Sequence, residues 1–493
     1  MSICEKIKMG NREFAEKLMA QAVLAATKKQ NPSDLTTAYQ LFASVCIADP
    51  TWGDGWYQAS NNNFDLRKLE AAVAGYRRAL QCDIPDETRA KAMLNMGWCF
   101  HLLGQTQDAY DITIAAGEIN PNLIHYWLHL SVLNGLFGNC TESVEAAERG
   151  VELSQKELDL GNADKAFLER QFLEARIALA FALLFDGQYK RGFEMFELRF
   201  EWRLHHFLQF PYAKWRGEPD KVVFLVSDQG LGDTLSFARF VEAACKRAKY
   251  VHAYIQPVMM RVFMHALGHI PNLNLIPSGN AYPHADAWTT FVSLPFALGL
   301  TDIEVRQAKQ IVPPVYSLPT TWMVPDTKLH IGVAWAGSPL NDIDKHRNIP
   351  VERFFDLYKV PGIQLYGLQI GPRGQDLYET GGVSLIRDLS TYVNDVADTV
   401  SILQHLDLVI CCESALGHIC AMVGKECWVP YAAQGKDYRI GLRGDKLLWT
   451  PKHRVFRQGL DNKWEPVFNQ IITALKEKIS ELDQAAGKTS KVA

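Results

Sequence analysis

The sequence predicts a helical solenoid followed by an α/β region in two halves, and three observations carry that reading. Small residues recur at near-constant intervals through residues 1–200: Ala38, Ala72 and Ala109 stand 34 and 37 positions apart. From Lys221 onward short apolar runs alternate with helical patterns, the signature of a parallel sheet. Pro313, Pro314, Pro319 and Pro325 separate two such series.

Length and composition set the outer limits. At 493 residues the chain is too long for one hydrophobic core. Its apolar share of 48% and charged share of 22% are those of a globular protein in water. A net charge of −4, with no block of like charges, offers no grip to nucleic acid or to an anionic membrane, and neither is expected as a partner. The opening MSICEKIKMGNREFAEKL has no signal-peptide core, and no later run reaches the length of a membrane span, so a cytoplasmic location is expected. Ten cysteines without a C-x-x-C pair argue against structural zinc and a disulfide framework, and read as small buried apolar residues.

Within the repeats the matching positions are Ala38, Phe42 and Pro50; Trp56, Ala72, Tyr76 and Ala79; Gly97, Phe100, Gly104, Ala109, Ala116 and Pro121; and Trp127, Leu130, Gly138 and Ala147. Small residues belong where antiparallel helices approach closely, large ones fill the gap, and Gly104 or Gly138 suits the turn between helices. Trp56, Trp98 and Trp127 are read as helix-packing residues. These positions resemble the tetratricopeptide repeat, a 34-residue helical hairpin, over roughly residues 11–154. A degenerate unit follows at 176–199, with an insertion expected near 61–63 and a polar spacer at 157–164. The resemblance implies four or five units that present a face to a peptide or protein, with a stack that only braces the next domain as the open alternative.

Residues 201–220, EWRLHHFLQFPYAKWRGEPD, are aromatic and basic and are punctuated by Pro211, Gly217 and Pro219, which reads as a packed connector. His205 and His206 are adjacent and cannot share one helix face, so one exposed and one packed ring is expected rather than a catalytic pair. Strands are expected at 222–226, 250–255 and 273–276 with a further one inside 285–300, then at 329–335, 363–369, 383–386, 406–411 and 426–430. Helices are expected near 234–248 and 257–267. The chain is thereby divided into repeats (1–200), a first α/β half (201–320), a second half with a closing helix (321–480) and a polar tail (481–493).

Three loops fall at the carboxyl ends of expected strands, where open α/β sheets bind ligands. In KVVFLVSDQGLGDTLSFARF, an apolar run meets Gly230, Gly232 and Asp233 and then a helical pattern, a strand–turn–helix that leaves N–H groups free to face a ligand. Taken alone, Asp233 reads as a helix cap. Thr234, Leu235 and Ser236 stand where G-x-G-x-x-G needs its third glycine, so the nicotinamide or flavin fingerprint is missing. AWAGSPLNDIDKHRNIP carries Ser338, Asn341, Lys345, His346 and Arg347, and CCESALGHICAMVG carries Glu413, Ser414 and His418. Ser414 can cap a helix from Ala415 with His418 one turn up, and with Lys345 and Arg347 nearby this suits a diphosphate; an ordinary cap and a surface histidine remain the alternative.

Six segments in order, residues 200–217, 229–240, 332–349, 395–407, 413–425 and 456–464, resemble the nucleotide-sugar glycosyltransferases of the heptosyltransferase type, glycosyltransferase family nine. The order of repeats and these segments is similar to bacterial proteins that join tetratricopeptide repeats to such a domain. The resemblance implies a GT-B fold of two Rossmann-like halves, the first on the acceptor side and the second on the nucleotide-sugar side. It further implies that Asp233 is the general base of an inverting transfer, that Ser414 and His418 carry the donor phosphates, and that Ser338, Lys345, Arg347 and Glu413 complete the donor site. No metal ion and no cofactor beyond the nucleotide-sugar substrate is implied. The family usually has Asp at Glu413 and Thr at Ser414, and after Tyr431 the chain keeps Asp437 and Arg439 but differs in its aromatic pattern. The leading expectation is sugar transfer to a protein held by the repeats; a glycan or lipid-linked saccharide acceptor, and a catalytically idle scaffold, are the alternatives.

Overall fold

Burying one face of each amphipathic helix requires a partner, and in the first of the chain's two compact units, Met1–Ala182, consecutive helices supply it. The computed structural model describes all residues except 1–2, 29–31, 202–209, 315, 318–319, 339–343, 436, 446, 448, 451 and 490–493. Among the described residues the hairpins are Ile3–Lys28 with Pro32–Ala48, Gly53–Asp65 with Leu69–Leu80, Asp86–Leu102 with Thr106–Ile119, and Ile124–Leu136 with Cys140–Leu160. Ala38, Ala72, Ala109 and Ala147 are fully buried, as close helix approach demands. At Gly97 even a methyl group would collide with Ile112 and Thr113 of the facing helix.

The shared spacing of Pro50–Trp56 and Pro121–Trp127 has a direct cause: each indole Nε1 donates to the proline carbonyl six residues earlier, at 3.0 and 2.8 Å. Gly104 and Gly138 turn the chain in the left-handed region, with φ of 80° and 76°. The corresponding turn of the second hairpin uses Arg67 at φ 60°. The helix Gly53–Asp65 passes through residues 61–63 without interruption, so no insertion lies there; the longer helix Asp86–Leu102, 17 residues against 13, absorbs the difference in repeat length. Asn61 Oδ1 accepts from Tyr76 Oη at 2.7 Å and from Asn95 Nδ2 at 3.0 Å, a polar link between successive hairpins.

The second unit, Leu183–Ala493, takes in residues 183–200 as well. Tyr189 and Phe193 pack against Trp449, Phe237 and Tyr438, which draws the helix Tyr189–Phe196 into the α/β core. Its first sheet contains β1 (Ala213–Lys214), β2 (Val222–Val226), β3 (Tyr250–Ile255), β4 (Leu273–Pro277) and β5 (Ala287–Thr290), in the order β1-β5-β2-β3-β4. The second contains β6 (Leu329–Ala334), β7 (Ile363–Gly367), β8 (Arg387–Asp388), β9 (Leu408–Cys411), β10 (Cys427–Tyr431) and β11 (His453–Arg457), in the order β11-β10-β9-β6-β7-β8. Every pairing is parallel, so each sheet gathers its strand exits on one edge. The chain is an α solenoid followed by an α/β domain of two Rossmann-like halves.

Four elements differ from expectation. Within the connector, Ala213–Lys214 form an edge strand, β1, held by β5, and β11 extends the second sheet. The strand expected at 383–386 is displaced to β8, because Gly381 at φ 71° starts a 3-10 turn over Gly382–Ser384. The helix expected from 234 begins at Leu231 and passes through a 3-10 segment, Ala238–Phe240, before Val241–Arg247. The core of the second half joins Ile331, Val333, Leu365, Ile410 and Trp428 to Val467, Phe468, Ile471 and Leu475 of the helix Glu465–Thr489. Among the described residues no helix is long and apolar enough to cross a membrane.

Candidate functional site

The loop leaving β2 ends at Gly230, which is extended and precedes the helix Leu231–Phe237. Asp233 is therefore the third residue of that helix rather than its cap, and its Oδ2 reaches back to accept from the Gly230 N–H at 3.1 Å. The side chain keeps 23% of its surface exposed, enough for a hydroxyl to reach it. Its Oδ1 lies 2.9 Å from Nη1 of Arg439, which comes from the opposite half. Arg439 is gripped from its other edge by Asp437, Nε to Oδ1 at 2.7 Å and Nη2 to Oδ2 at 2.8 Å. Burial pushes the Asp233 carboxyl above the usual carboxylate range; Arg439 opposes this, while Asp437 and Asp228 add to it.

On the second half, β9 leads through Glu413 and Ser414 into the helix Ala415–Met422. Ser414 does occupy the cap position, but its hydroxyl does not cap: it is buried beside the Cys411 and Cys412 thiols without a hydrogen bond of normal geometry. The first N–H groups of that helix thus stay unsatisfied by this side chain. His418 faces the other half. A Cβ on Gly232 would lie 2.8 Å from His418 Cδ2 and 3.4 Å from Ala415 Cα, so Gly232 is what lets the two loops meet. Burial first, and Arg439 second, push the His418 imidazole down to about 3, so it is neutral near pH 7 and brings no positive charge to a phosphate. Glu413 is raised by burial and by Asp437 against the pull of Arg347 and Arg439, and its Oε2 is buried without a hydrogen bond.

Two adjoining spaces that share Ser414 lie beside these residues. A cavity of about 410 Å³ is walled by Leu231 and Val258 of the first half and by Ser338, Gln369, Asp395 and Ser414 of the second. A small cavity of about 30 Å³ lies among Glu413, Ser414, His418, Asp437 and Arg439. Arg347 points its Nη1 at the Glu413 carbonyl, 3.1 Å away, and packs where a side chain on Gly337 would be. Ser414 borders both spaces, Ser338 lines the larger, and Glu413 and His418 line the smaller; Asp233 and Arg347 line neither, and touch the smaller one's wall through Arg439 and Glu413. The Lys345 side chain, Asn341, His205 and His206 lie outside the described residues.

Sequence reasoning missed the inter-half ion pairs. Besides Asp233–Arg439, Arg261 pairs with Asp395 at 2.6 Å and with Asp398. Asp395 caps the helix Val396–His405 with Oδ1, accepting from Ala397 and Asp398 N–H groups, and also lines the larger cavity. A further network underlies the first half: Arg199, buried, donates to Asp228, Glu197, Thr290 and Ser293 over 2.7–3.1 Å. The local signal was the aromatic and charged run near residue 200.

No protein-family model matches the chain, and no curated protein matches it. Among solved structures it is similar to a MamA protein, at 16% identity over 38% of this chain and 92% of that one, with a TM-score of 0.28. It is also similar to YrrB, described as a TPR protein with an unusual peptide-binding site, at 15% identity over 41% of this chain and 89% of that one, with a TM-score of 0.28. A glycosyl transferase of family 9 from Veillonella parvula DSM 2008 is similar at 14% identity over 54% of this chain and 99% of its own, with a TM-score of 0.37.

Proposed function

We propose that the second unit is an inverting glycosyltransferase that moves a sugar from a nucleotide-sugar donor to an acceptor hydroxyl without a metal ion. The observation that carries this reading is the close approach, at Gly232 and Ala415, of the helix start bearing a partly exposed carboxylate, Asp233, to a helix N-terminus that its own Ser414 leaves uncapped. The donor lies in the cavity of about 410 Å³, with its diphosphate at the N–H groups opening the helix Ala415–Met422 and with Arg347 and Lys345 as the cationic side chains. Asp233 takes the proton of the acceptor hydroxyl as that oxygen bonds to the anomeric carbon. The bond from that carbon to the diphosphate oxygen breaks on the opposite face, and its electron pair leaves with the diphosphate. Neutral His418 and protonated Glu413 act here as hydrogen-bond donors rather than as charges.

The acceptor in this reading is a cytoplasmic protein held by the repeats. Support comes from an apolar cavity of about 550 Å³ in the first unit, lined by Tyr39, Phe42, Ile47, Trp56 and Ala74, which is of a size to take side chains. The test is release of a nucleoside diphosphate from a panel of nucleotide sugars by the purified chain. Asp233→Ala should slow transfer by about 10²–10⁴-fold while donor binding persists. Transfer at the native rate would remove Asp233 from the chemistry, and calorimetry showing no affinity for any nucleoside diphosphate would leave the repeats as the functional part.

A further inference from the structure

We propose that Arg439 is a positioning residue that completes the Asp233 base from across the cleft, so that the carboxylate is held and aimed only while the two halves are closed on each other. The proposal rests on the sugar-transfer reading for the role of Asp233, and on geometry for the contact itself. Asp233 and Arg439 belong to different halves: one follows β2, the other follows β10. Oδ2 of Asp233 is committed to its own loop through Gly230, which leaves Oδ1 as the oxygen turned to Arg439.

Arg439 is not free to choose another partner. Its backbone N–H donates to Asp437 Oδ1 at 2.9 Å, its fork closes on the same carboxylate, and the Asp437 N–H is anchored to the Tyr431 hydroxyl at 3.0 Å. Nη1 is the corner that remains, and it is delivered 2.9 Å from Oδ1. The approach is a charge contact and not an aligned hydrogen bond, because no acceptor lies along an Nη1 N–H. A guanidinium so placed stabilises the carboxylate without filling the lone pair that must receive the acceptor's proton. The contact exists because Gly232 lets the helix start at Ala415 and the ring of His418 come close, and Arg261–Asp395 ties the halves a second time. Without closure, Asp233 would keep only the Gly230 N–H.

The charged and titratable groups around Asp233 are Arg439, Asp437, Asp228, Glu413, Tyr438 and His418. Arg439 is the cation of this set, so its loss and the loss of Asp437 have opposite expected signs. The experiment is infrared titration of the full chain against Asp233→Asn, which isolates the Asp233 carboxyl band without substrate. Arg439→Met should move its midpoint up by about 1–3 pH units, and Asp437→Asn should move it down. A general loosening would move both the same way, and that result, or an unmoved midpoint in Arg439→Met, overturns the proposal. If Arg439→Met does not fold, Arg439→Gln, which keeps most of the side chain's length without its charge, decides: its midpoint should rise, and an unmoved one overturns the proposal. The acid limb of kcat/KM for sugar transfer should follow the infrared shifts. A wild-type chain that transfers no sugar refutes the transfer reading, while the infrared result still judges Arg439.

Discussion

Gly232→Ala tests the closest approach of the two halves. The added methyl carbon would sit 2.8 Å from His418 Cδ2, whereas ordinary contact begins near 3.4 Å, so roughly 0.6 Å of overlap must be relieved. The His418 side chain is only 17% exposed, so relief takes a shift of its ring together with a retreat of the helix Ala415–Met422 or of the loop at Gly230. Overpacking of this kind costs about 1–3 kcal/mol. A retreat of that size would also stretch the 2.9 Å contact between Asp233 and Arg439, so activity and stability should fall together. The assay is chemical unfolding followed by a probe in the second unit, for Gly232→Ala, His418→Ala and the pair. Because the double variant removes the ring that the new methyl strikes, it should be more stable than the sum of the single effects by about 1–2 kcal/mol. Additive effects, or a Gly232→Ala protein as stable as the wild type, would refute the steric reasoning.

Acid should destabilise the second unit through its buried histidines. His418 and His453 are held down to about 3 and about 4 by burial, so between pH 6.5 and those values the unfolded chain binds protons that the folded one does not. Stability is therefore intact above about pH 6.5 and falls below it, by about 2 kcal/mol per ring at pH 5, and His418→Asn should flatten the measured slope. Arg67→Gly should raise the midpoint of the first unit, since relief of a left-handed non-glycine residue, about 1–2 kcal/mol, exceeds the added chain entropy of about 0.5–1 kcal/mol. Arg199→Met should cost the second unit about 3–5 kcal/mol in the same unfolding assay, because Asp228 would be left buried, and Glu197 part-buried, without the guanidinium that pairs with both.

What was legible in the sequence was whatever has a local period or a local rule. The apolar runs of β2 and β3 and the strand–glycine–helix order around Asp233 announce themselves within a few residues. β1 does not, because two residues between Pro211 and Gly217 carry no alternation, and only pairing with β5 makes them a strand. The local capping rule misreads Ser414, whose hydroxyl turns to the thiols beneath it instead of the helix N–H groups. The position of His418 was legible, but its neutrality was not, because the burial comes from packing against the other half at Gly232. Arg439 is the same case: Asp437 two residues away is a visible partner, whereas Asp233 is distant in sequence.

The helix Glu465–Thr489 supplies Val467, Phe468, Ile471 and Leu475 to the same core as β6, β7 and β9. During synthesis, then, the second half has its sheet exposed on that face until the helix emerges, and its non-local parallel pairings are slow to form in any case. The helical hairpins ahead of it are closed by near neighbours and can form as they leave the ribosome. A growing chain should pass through a stage in which the repeats are folded while the apolar face of β6 and β9 is still open, and it is there that a truncated product would aggregate.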